Sequence, residues 1–588
     1  MGTNITIPQK KTRADIEADS VYGTFTLALA SQAKQEKGEI IRVTDASDHP
    51  DGLTGTVYFE YLGTTNGDER DYEITFKKID SAKKNILYAE DRGLIADGIT
   101  DDTAKIQEMF NEISNSLQFD TVIFPEKTYK INGKLTINSN VKVIGYNTKF
   151  ITSNIITVFE STAADVKIFG ITQNSTVRSE FFRQKADFNK IEIAYCEQNL
   201  PENEQANYLF IGDEGLNGKE LVIYSNETNN VTPVFFDNNI EGKKLDILRV
   251  GANISKNCPR YFCRVLGVNT DTPYVGNAYI RDNEVSNING NIVDASAVVA
   301  RFFQTGVIGT IHLTGNTVNG AKTGTNGNFL YLAGGSLICN DNIVSGIQSI
   351  SSSSIIQDKK LREDGETWNI FNNTFDFSEV LTANTPKSII QVLNRDGAFV
   401  ENNTFKGLKC YAVDVAQTVL DDPTPQNITI SRNKIMDIDY PIVFNLQQQL
   451  KNVSISGNEV FKIDNTAGIN INGTSDCRLV SMYNTFNQEK GQENIDISDN
   501  KIYECSKSVY FATMYINAAA PTAIKDKVII SGNKFLDMTT PFNKTYVRFI
   551  GTLQNNMTNV KIVNNMSAVA ATETVGTEPA DLEKINNM

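Results

Sequence analysis

The sequence predicts an all-β fold, a parallel β-helix of about 15 coils, with a small domain ahead of it and a helix that caps the coils. The main observation is a phrase, apolar-x-apolar-x-x-Asn-x-apolar, that recurs from about residue 120 onward with no helical pattern between its copies. Ten copies keep the asparagine. They are Asn283, Asn316, Asn342, Asn373, Asn403, Asn433, Asn458, Asn500, Asn533 and Asn565.

The spacing of the copies supports stacked coils. Successive asparagines are separated by 25 to 42 residues, and five earlier copies place the equivalent position at 146, 171, 196, 226 and 250, usually without the asparagine. Strands in which apolar and polar residues alternate, and which recur at such an interval, indicate a solenoid. The apolar positions then fill the interior. The asparagine is expected to adopt the left-handed conformation at a tight bend and to hydrogen-bond with its equivalents in neighbouring coils.

The domain organisation follows from the same patterns. Residues 1–88 alternate around an Asn-Gly turn in the segment TTNGDE and are predicted to form a small docking domain or a cap. Residues 89–119 are a connector that ends in the capping helix, 120–567 form the β-helix, and 568–588 form a short tail. The helix is predicted from one apolar stripe. Its members are Ile106, Met109, Phe110, Ile113 and Leu117.

Charge and composition exclude several functional classes. The chain has 55 Lys and Arg against 70 Asp and Glu, so its net charge is −15, which disfavours nucleic-acid binding. The two histidines, His49 and His312, are too few and too far apart for a zinc site, and His312 is predicted to point outward from a strand. The seven cysteines contain no CxxC motif, so they are predicted to be reduced thiols in the core. We expect no metal and no cofactor.

Two further expectations concern location. No stretch approaches 18 apolar residues, so no membrane insertion is predicted. The first twenty residues have no apolar core, and therefore no secretory signal peptide is predicted.

The first candidate site is a group of carboxylates on neighbouring coils. Asp437 and Asp439 are predicted to point outward from one strand, and Asp464 is predicted to stack on Asp439 in the next coil. Glycoside hydrolysis commonly uses two carboxylates about 5–9.5 Å apart, a range that neighbouring outward positions in a β-helix satisfy. These residues are the catalytic candidates. The alternative is that they are solvated strand-end carboxylates, with Lys462 neutralising one of them.

The second candidate site surrounds the single tryptophan. Trp368 follows Asp364 and Glu366 in a segment predicted to project from the coils. A flat aromatic ring can pack against the apolar face of a sugar, so these three residues are substrate-binding candidates. The alternative is that Trp368 belongs to the core.

Residues 96–146 resemble the first coil of the pectate-lyase-like right-handed β-helix superfamily. The usual pattern is Gly-Asp-Gly-x-x-Asp-Asp-Thr, a capping helix, and a Phe-Pro-x-Gly-x-Tyr strand. Here Ala96 replaces the first glycine, Lys127 replaces a later one, and Asp101 and Asp102 are expected to accept from the first turn of the helix. The resemblance implies a right-handed coil. A short domain ahead of this segment resembles bacteriophage tailspikes within that superfamily.

The tailspike resemblance implies a homotrimer on the virion, which acts outside the cell. It would be joined to a tail, baseplate or connector protein through residues 1–88 and would bind host surface polysaccharide. The Gly-His-Gly and Arg-Ile-Lys motifs of polygalacturonases are absent, and Ser475–Asp476 matches only part of their Asn-Thr-Asp motif, so a pectinase is disfavoured. Whether the protein cleaves its glycan is left open. If it does, a glycoside hydrolase is favoured over a lyase. The alternatives are a non-catalytic adhesin or virion spike and a secreted bacterial polysaccharide lyase.

Overall fold

The computed structural model describes four short segments near the N-terminus and most of the chain from residue 86 onward. The N-terminal segments are 20–24, 40–45, 57–61 and 76–78. From 86 to 587 the gaps in the described residues are 116–118, 155, 202–206, 238–243, 260, 267–274, 289–298, 306, 322–325, 333, 348–353, 359–365, 381–384, 418–423, 472–474, 485–490, 506–507, 517–524, 537–543, 551–556, 568–571, 576–577 and 579–581.

The chain divides into two compact bodies, one of residues 1–174 and 195–197 and the other of residues 175–194 and 198–588. In the first body the N-terminal segments form a four-stranded sheet. Its first two strands are parallel and its last two are antiparallel. The antiparallel pair flanks the predicted Asn-Gly turn, which itself lies outside the described residues. The strands are Ser20–Thr24, Ile40–Asp45, Val57–Tyr61 and Phe76–Lys78.

The first body also contains the capping helix, Thr103–Asn115. The described members of the predicted apolar stripe are all buried, while Leu117 lies outside the described residues. The ring of Phe110 meets the ring of Phe159 edge to face, with centroids 6.2 Å apart. The side chain of Gln107 exchanges two hydrogen bonds with the backbone of Thr136. The helix therefore covers the apolar end of the first coils, as the sequence predicts.

The turn before the helix differs from the prediction at one aspartate. Asp101 accepts from the first helical N–H, that of Thr103, at 3.0 Å. Asp102 does not cap the helix, because its carboxylate accepts instead from the N–H groups of Ile95 and Ala96, at 2.9 and 3.0 Å. Ala96 has a left-handed backbone, with φ of 52°. The glycine that usually stands at this position adopts that conformation without strain.

Parallel strands begin the coils in the first body. Val122 pairs with Val143, and Tyr129 pairs with Phe150 on the next coil. The rings of Phe124, Tyr129 and Phe150 contact one another edge to face in the core. A 3-10 turn, Ala89–Arg92, follows the first strand. The strands are Ile86–Tyr88, Asp97–Asp101, Thr121–Phe124, Thr128–Lys130, Leu135–Ile137, Val141–Thr152, Ile156–Ser161 and Asp165–Ser175.

The second body is also a right-handed parallel β-helix. A typical coil has one strand before the asparagine bend, a short strand after it, and a third strand in a long parallel sheet. In one coil these are Gln426–Ser431, Lys434–Met436 and Ile442–Gln447. Each strand pairs in parallel with its equivalent in the neighbouring coils, as Ile428 does with Val453.

The remaining strands of the second body fall into the same three sets and one extra pair. The strands before the bend are Phe188–Ala194, Gly218–Tyr224, Leu245–Gly251, Val275–Arg281, Val307–Thr314, Gly334–Asn340, Trp368–Phe371, Asp396–Glu401, Leu450–Ser456, Gln492–Ser498, Lys525–Ser531, Met557–Thr558, Lys561–Val563 and Glu583–Ile585. Those after it are Glu197–Asn199, whose first residue belongs to the first body, Glu227–Asn229, Ile254–Lys256, Glu284–Ile288, Thr317–Ala321, Ile343–Ser345, Thr374–Asp376, Thr404–Lys406, Glu459–Val460, Lys501–Ile502, Lys534–Phe535 and Met566–Ser567. The extra pair is Ile438–Asp439 and Ile463–Asp464.

The coils extend into residues 568–588, for which the sequence predicts only a short tail. Thr572–Val575 pairs with the preceding strand of the long sheet, and Glu583–Ile585 pairs with Lys561–Val563. The other strands of the long sheet are Ser179–Gln184, Asn207–Gly212, Val231–Asp237, Tyr261–Leu266, Val299–Thr305, Asn326–Leu332, Ile356–Asp358, Ser388–Leu393, Tyr411–Ala416, Cys477–Asn484, Val509–Ile516 and Lys544–Ile550.

The bend asparagines form a continuous hydrogen-bonded ladder. The amide of Asn403 donates to Oδ1 of Asn433 at 3.0 Å and to the carbonyl of Ile370 at 2.9 Å, and its backbone N–H also donates to Asn433 Oδ1. The same bonds recur in the other coils. The ladder contains the ten predicted asparagines and also Asn226, Asn253 and Asn587.

The ladder corrects two details of the prediction. The copy aligned on position 250 has its asparagine three residues later, at Asn253. The left-handed conformation belongs to the residue before the ladder asparagine, as at Asn402 and Asp282, and not to the asparagine itself. The amide is therefore required for hydrogen bonding between coils and not for the bend.

Candidate ligand-binding face

The outward side of the long sheet carries polar and charged side chains in the region of residues 387–548, which we call the polar face. On the strand Tyr411–Ala416, Val413 and Val415 belong to the core, so the alternation of a strand directs Asp414 outward. Asp414 is nevertheless fully buried. The members of the polar face discussed below are Lys387, Tyr411, Asp414, Tyr440, Asn445, Gln447, Asp476, Arg478, Tyr510 and Arg548.

The Asp414 carboxylate is held by donors from three positions. Lys387 Nζ lies 2.7 Å from Oδ2, and the amides of Asn445 and Gln447 donate to Oδ1 at 3.0 and 2.7 Å. Asn445 is its pairing partner on the next strand. A buried carboxylate is tolerated only when such bonds replace water, so Asp414 has a fixed position on this face.

Arg478 is fully buried beside this group and is only partly hydrogen-bonded. Its Nη2 donates to the carbonyl of Ile471 at 3.0 Å, whereas Nε and Nη1 have no hydrogen-bond partner within the part of the chain that the structure describes. Burial lowers the pKa of Arg478 to about 10, and the nearby Arg548 acts in the same direction. Unsatisfied buried donors are rare and cost stability. These two groups are the donors of the polar face whose hydrogen bonds a ligand could accept.

Two tyrosines lie against this arginine. The rings of Tyr411 and Tyr440 meet edge to face, with centroids 5.0 Å apart. Burial, together with the neighbouring Tyr440, raises the pKa of Tyr411, so its hydroxyl stays protonated at neutral pH. The charge of Arg478 is close enough to oppose that shift.

A second carboxylate, Asp476, lies at the start of the neighbouring strand. It accepts from Arg548 Nη1 at 2.5 Å and from the Tyr510 hydroxyl at 3.2 Å. The guanidinium carbon of Arg548 lies 5.4 Å from the centroid of the Tyr510 ring. Asp476 and Arg548 are about a quarter exposed, so this end of the polar face is open to solvent.

The polar face can bind a ligand rich in hydroxyl and carboxylate groups. It offers the buried Nε and Nη1 donors of Arg478, the partly exposed pair of Asp476 and Arg548, and several aromatic rings. Sequence reasoning missed it because Asp414 stands singly among apolar residues and Arg478 follows a polar segment with no recognisable motif. Their neighbours come from coils about thirty residues away, and only the register of the long sheet brings them together.

The predicted carboxylate group has the predicted pairing but already has partners. Asp439 and Asp464 are directly paired on adjacent strands. The two oxygens of Asp439 accept from the N–H and hydroxyl of Thr466, at 2.8 and 2.5 Å. Asp464 forms an ion pair with Lys462 at 3.0 Å, and Asp437 is an exposed residue at a left-handed bend. This is the arrangement expected of strand-end carboxylates.

Trp368 belongs to the core. It is fully buried, and its indole N–H donates to the carbonyl of Gly335 at 3.2 Å. The buried guanidinium of Arg395 packs on the ring at 4.4 Å and forms an ion pair with Glu366 at 3.1 Å. The indole therefore has no exposed face for a sugar, and Glu366 supports Arg395. Asp364 lies outside the described residues.

The remaining polar clusters do not add a metal site. Among the described residues there is no group of three or more His, Cys, Asp or Glu that could hold a metal ion. In the same part of the chain, no helix has the length and apolarity needed to span a bilayer. All seven cysteines are buried free thiols.

A family of known proteins matches the first coils. The family described as rhamnogalacturonase A/epimerase, pectate lyase-like, matches residues 87–240. This stretch includes the helix and turn on which the resemblance to the pectate-lyase-like superfamily was based, and it confirms that resemblance. No curated protein matches the chain by sequence.

Several solved structures have a similar fold. Tailspike protein 3 of bacteriophage CBA120 is 9% identical, with a TM-score of 0.40 over 90% of this chain and 76% of that one. A PL6 alginate lyase in complex with a trisaccharide is 10% identical, with a TM-score of 0.33 over 87% and 96%. The adhesin PfbA of Streptococcus pneumoniae is 12% identical, with a TM-score of 0.31 over 79% and 100%. These values are too low to transfer any chemistry to this chain.

Proposed function

Starting from a pectate-lyase-like β-helix whose long sheet carries a buried polar face, we propose that the protein binds a polysaccharide along that face. The observation that carries the proposal is Arg478, whose Nε and Nη1 donors are unpaired among the described residues. Unpaired guanidinium donors in the core are costly, and a saccharide offers hydroxyl and carboxylate oxygens that would satisfy them.

We further propose the biological setting that the sequence resemblance implies. The protein is a bacteriophage tailspike, a homotrimer joined to the virion by residues 1–88, and its ligand is the surface polysaccharide of the host. Light scattering tests the trimer, which requires a mass three times the 65.1 kDa of one chain. A mass near that of one chain would contradict it.

Binding to purified capsule or O-antigen of a susceptible host tests the main proposal. We expect Arg478→Met and Asp476→Asn to weaken binding about tenfold or more, because each loses a charged hydrogen-bonding group on the polar face. Asp439→Asn is the matched control, since its carboxylate is already occupied by Thr466. If Asp439→Asn abolishes binding or cleavage while the polar-face variants retain it, the site is the carboxylate group around Asp437, Asp439 and Asp464.

Cleavage of the bound glycan is a second candidate function, and one observation favours elimination over hydrolysis. The polar face places a buried arginine with a lowered pKa beside the protonated hydroxyl of Tyr411. On an acidic sugar, a base removes the proton next to the carboxylate, the electron pair forms a carbon–carbon double bond, and the glycosidic oxygen leaves. With a pKa of about 10, Arg478 is mostly charged at neutral pH and its donors bind the sugar, while its small neutral fraction would be the base. Tyr411 would protonate the leaving oxygen.

Ultraviolet absorbance of the new double bond tests this step directly. Elimination predicts that absorbance rises as fragments appear, and that Tyr411→Phe slows the reaction while binding is kept. Fragments without the absorbance would indicate hydrolysis instead. Binding without any fragments on a confirmed host glycan would identify a non-catalytic adhesin.

A further inference from the structure

A second cluster of charged and aromatic side chains lies on the strands before the bend. Arg249, Tyr279 and His312 occupy paired positions on three neighbouring strands. The rings of Tyr279 and His312 stack with centroids 4.7 Å apart and planes 13° apart. The guanidinium carbon of Arg249 lies 4.8 Å from the centroid of the Tyr279 ring. The three side chains form one stack across the coils.

Arg281 joins this stack as a cation that has no acidic partner among the described residues. It follows Tyr279 by two residues, so it lies on the same face, and its guanidinium carbon is 4.8 Å from the Tyr279 centroid. Arg281 is exposed and forms no ion pair with any residue that the structure describes. The carboxylate of the next residue, Asp282, lies over Gly315, where a Cβ atom would contact it.

Tyr224 adds an aromatic surface beside Arg281. Tyr224 pairs with Gly251, which in turn pairs with Arg281. A Cβ atom added to Gly251 would lie 3.2 Å from Cδ2 of Tyr224. The tyrosine ring therefore lies over the glycine backbone, and it is partly exposed. Two coils separate Tyr224 from Arg281, about 10 Å, which is the scale of one to two sugar rings.

The cations around Arg281 are paired with carboxylates. Glu220 accepts from Arg249 at 2.8 Å and from Lys190 at 3.0 Å, and Glu192 lies 3.8 Å from Lys190. With Arg281 and the adjacent Asp282, three cations stand beside three carboxylates. Arg281 forms no ion pair with a described residue, so its exposed guanidinium is open to an anionic ligand.

We propose that these residues form a second saccharide-binding site, which takes a carboxylate-bearing sugar. We call Tyr224, Arg249, Tyr279, Arg281 and His312 the cationic aromatic patch. The sugar carboxylate binds the Arg281 guanidinium, and the apolar face of the ring packs on Tyr224. Arg249 and Tyr279 hold Arg281 in place. The site lies on different strands from the polar face and does not depend on the function proposed there.

His312 provides a direct readout of this site. Partial burial, together with the charge of Arg281, lowers the pKa of His312. A carboxylate bound to Arg281 would offset that charge and raise the pKa. The chain contains only one other histidine, His49. Histidine-selective isotope labelling of the full-length protein therefore gives two resonances, which a His312→Asn variant assigns.

The experiment titrates the labelled protein with an oligosaccharide of glucuronate, with a neutral oligosaccharide of glucose, and with inorganic phosphate. We expect the acidic oligosaccharide to shift the His312 resonance and raise its pKa, and the neutral one to leave both unchanged. Arg281→Gln should weaken the acidic interaction about tenfold. Arg432→Gln, which removes an equal charge from another exposed arginine, should not.

Two results would overturn the proposal. One is a His312 resonance that responds neither to the acidic saccharide nor to phosphate, or that responds to the neutral saccharide as strongly as to the acidic one. The other is a response to phosphate as strong as that to the glucuronate oligosaccharide, which would mean a general anion site. Arg478→Met separates this site from the polar face, because it should leave the His312 response intact even where host-glycan binding is lost.

Discussion

The side chains of Asn458 and Asn500 are hydrogen-bonded to each other at 2.9 Å, although 42 residues separate them. Asn433 and Asn458, only 25 residues apart, are bonded at 3.0 Å. The ladder therefore sets the same spacing between coils whatever length of chain lies between them. Each amide is fully satisfied, with two donors used and an oxygen that accepts two bonds.

Removal of one ladder asparagine should destabilise the β-helix. Asn403→Ala leaves the amide and the backbone N–H of Asn373 without their shared acceptor. We expect the free energy of unfolding to fall by about 2–4 kcal/mol, since buried unpaired donors cost about 1–3 kcal/mol each. Denaturant unfolding measures the change. Asn277→Ala, at an exposed strand position, is the control and should change the value by less than about 0.5 kcal/mol.

The two fully buried arginines should respond to mutation in opposite ways. Arg478→Met removes a guanidinium with two unpaired donors, so the thermal midpoint should stay the same or rise. Arg395→Met breaks bonds to Gly335 and Glu366 and should cost about 3–5 kcal/mol. Calorimetry on both variants makes the comparison. A large loss of stability in Arg478→Met would mean that the residue is structural and would remove the main support for the polar face as a binding site.

The single tryptophan should report on the core and not on the ligand. Trp368→Phe loses the bond to Gly335 and should lower stability by about 1–3 kcal/mol. Polysaccharide binding should remain at the wild-type level, because the indole is fully buried. The wild-type emission should be blue-shifted and should not respond to ligand. Loss of binding in a variant that stays folded would restore Trp368 as a substrate contact.

Acid should weaken the turn ahead of the capping helix. Hydrogen bonds from the N–H groups of Thr100 and Ile99 lower the pKa of Asp97 below its ordinary value of 3.8. A carboxyl group whose pKa is lowered in the folded state stabilises the fold at pH values above its ordinary pKa. This contribution is lost as the pH falls through the lowered pKa. Asp97→Asn should therefore reduce the difference in thermal midpoint between neutral and strongly acidic solution. An unchanged difference would show that the turn does not contribute.

The coil architecture could be predicted because its determinants are local. The apolar alternation and the bend asparagine recur within eight residues, and the helix stripe lies within one segment. In the copy LDILRV the sequence pattern places the asparagine position at 250. The ladder asparagine is Asn253, which follows the two small residues Gly251 and Ala252. The sequence predicts that Asp102 accepts from the first turn of the helix. Its carboxylate instead accepts from the turn before the helix, a contact that the spacing of the residues does not reveal.

The polar face could not be predicted because its determinants are not local. Asp414 and Arg478 are 64 residues apart in the sequence, and no local motif connects them. The predicted pairing of Asp439 with Asp464 was correct, because both follow the same repeat. Lys462 lies two residues before its partner Asp464, whereas Thr466 lies 27 residues after its partner Asp439. The sequence suggested Lys462 as a partner but did not identify Thr466.

The asparagine ladder also has a direction. Each ladder amide from Asn226 to Asn565 donates to the next asparagine in the chain, and each from Asn253 to Asn587 accepts from the previous one. Reversing a single amide would place two oxygens, or two NH₂ groups, against each other. A coil placed out of register during folding therefore cannot complete the row. The ladder acts as a check on register, because a coil is fully bonded only when its asparagine lies in line with those of its neighbours.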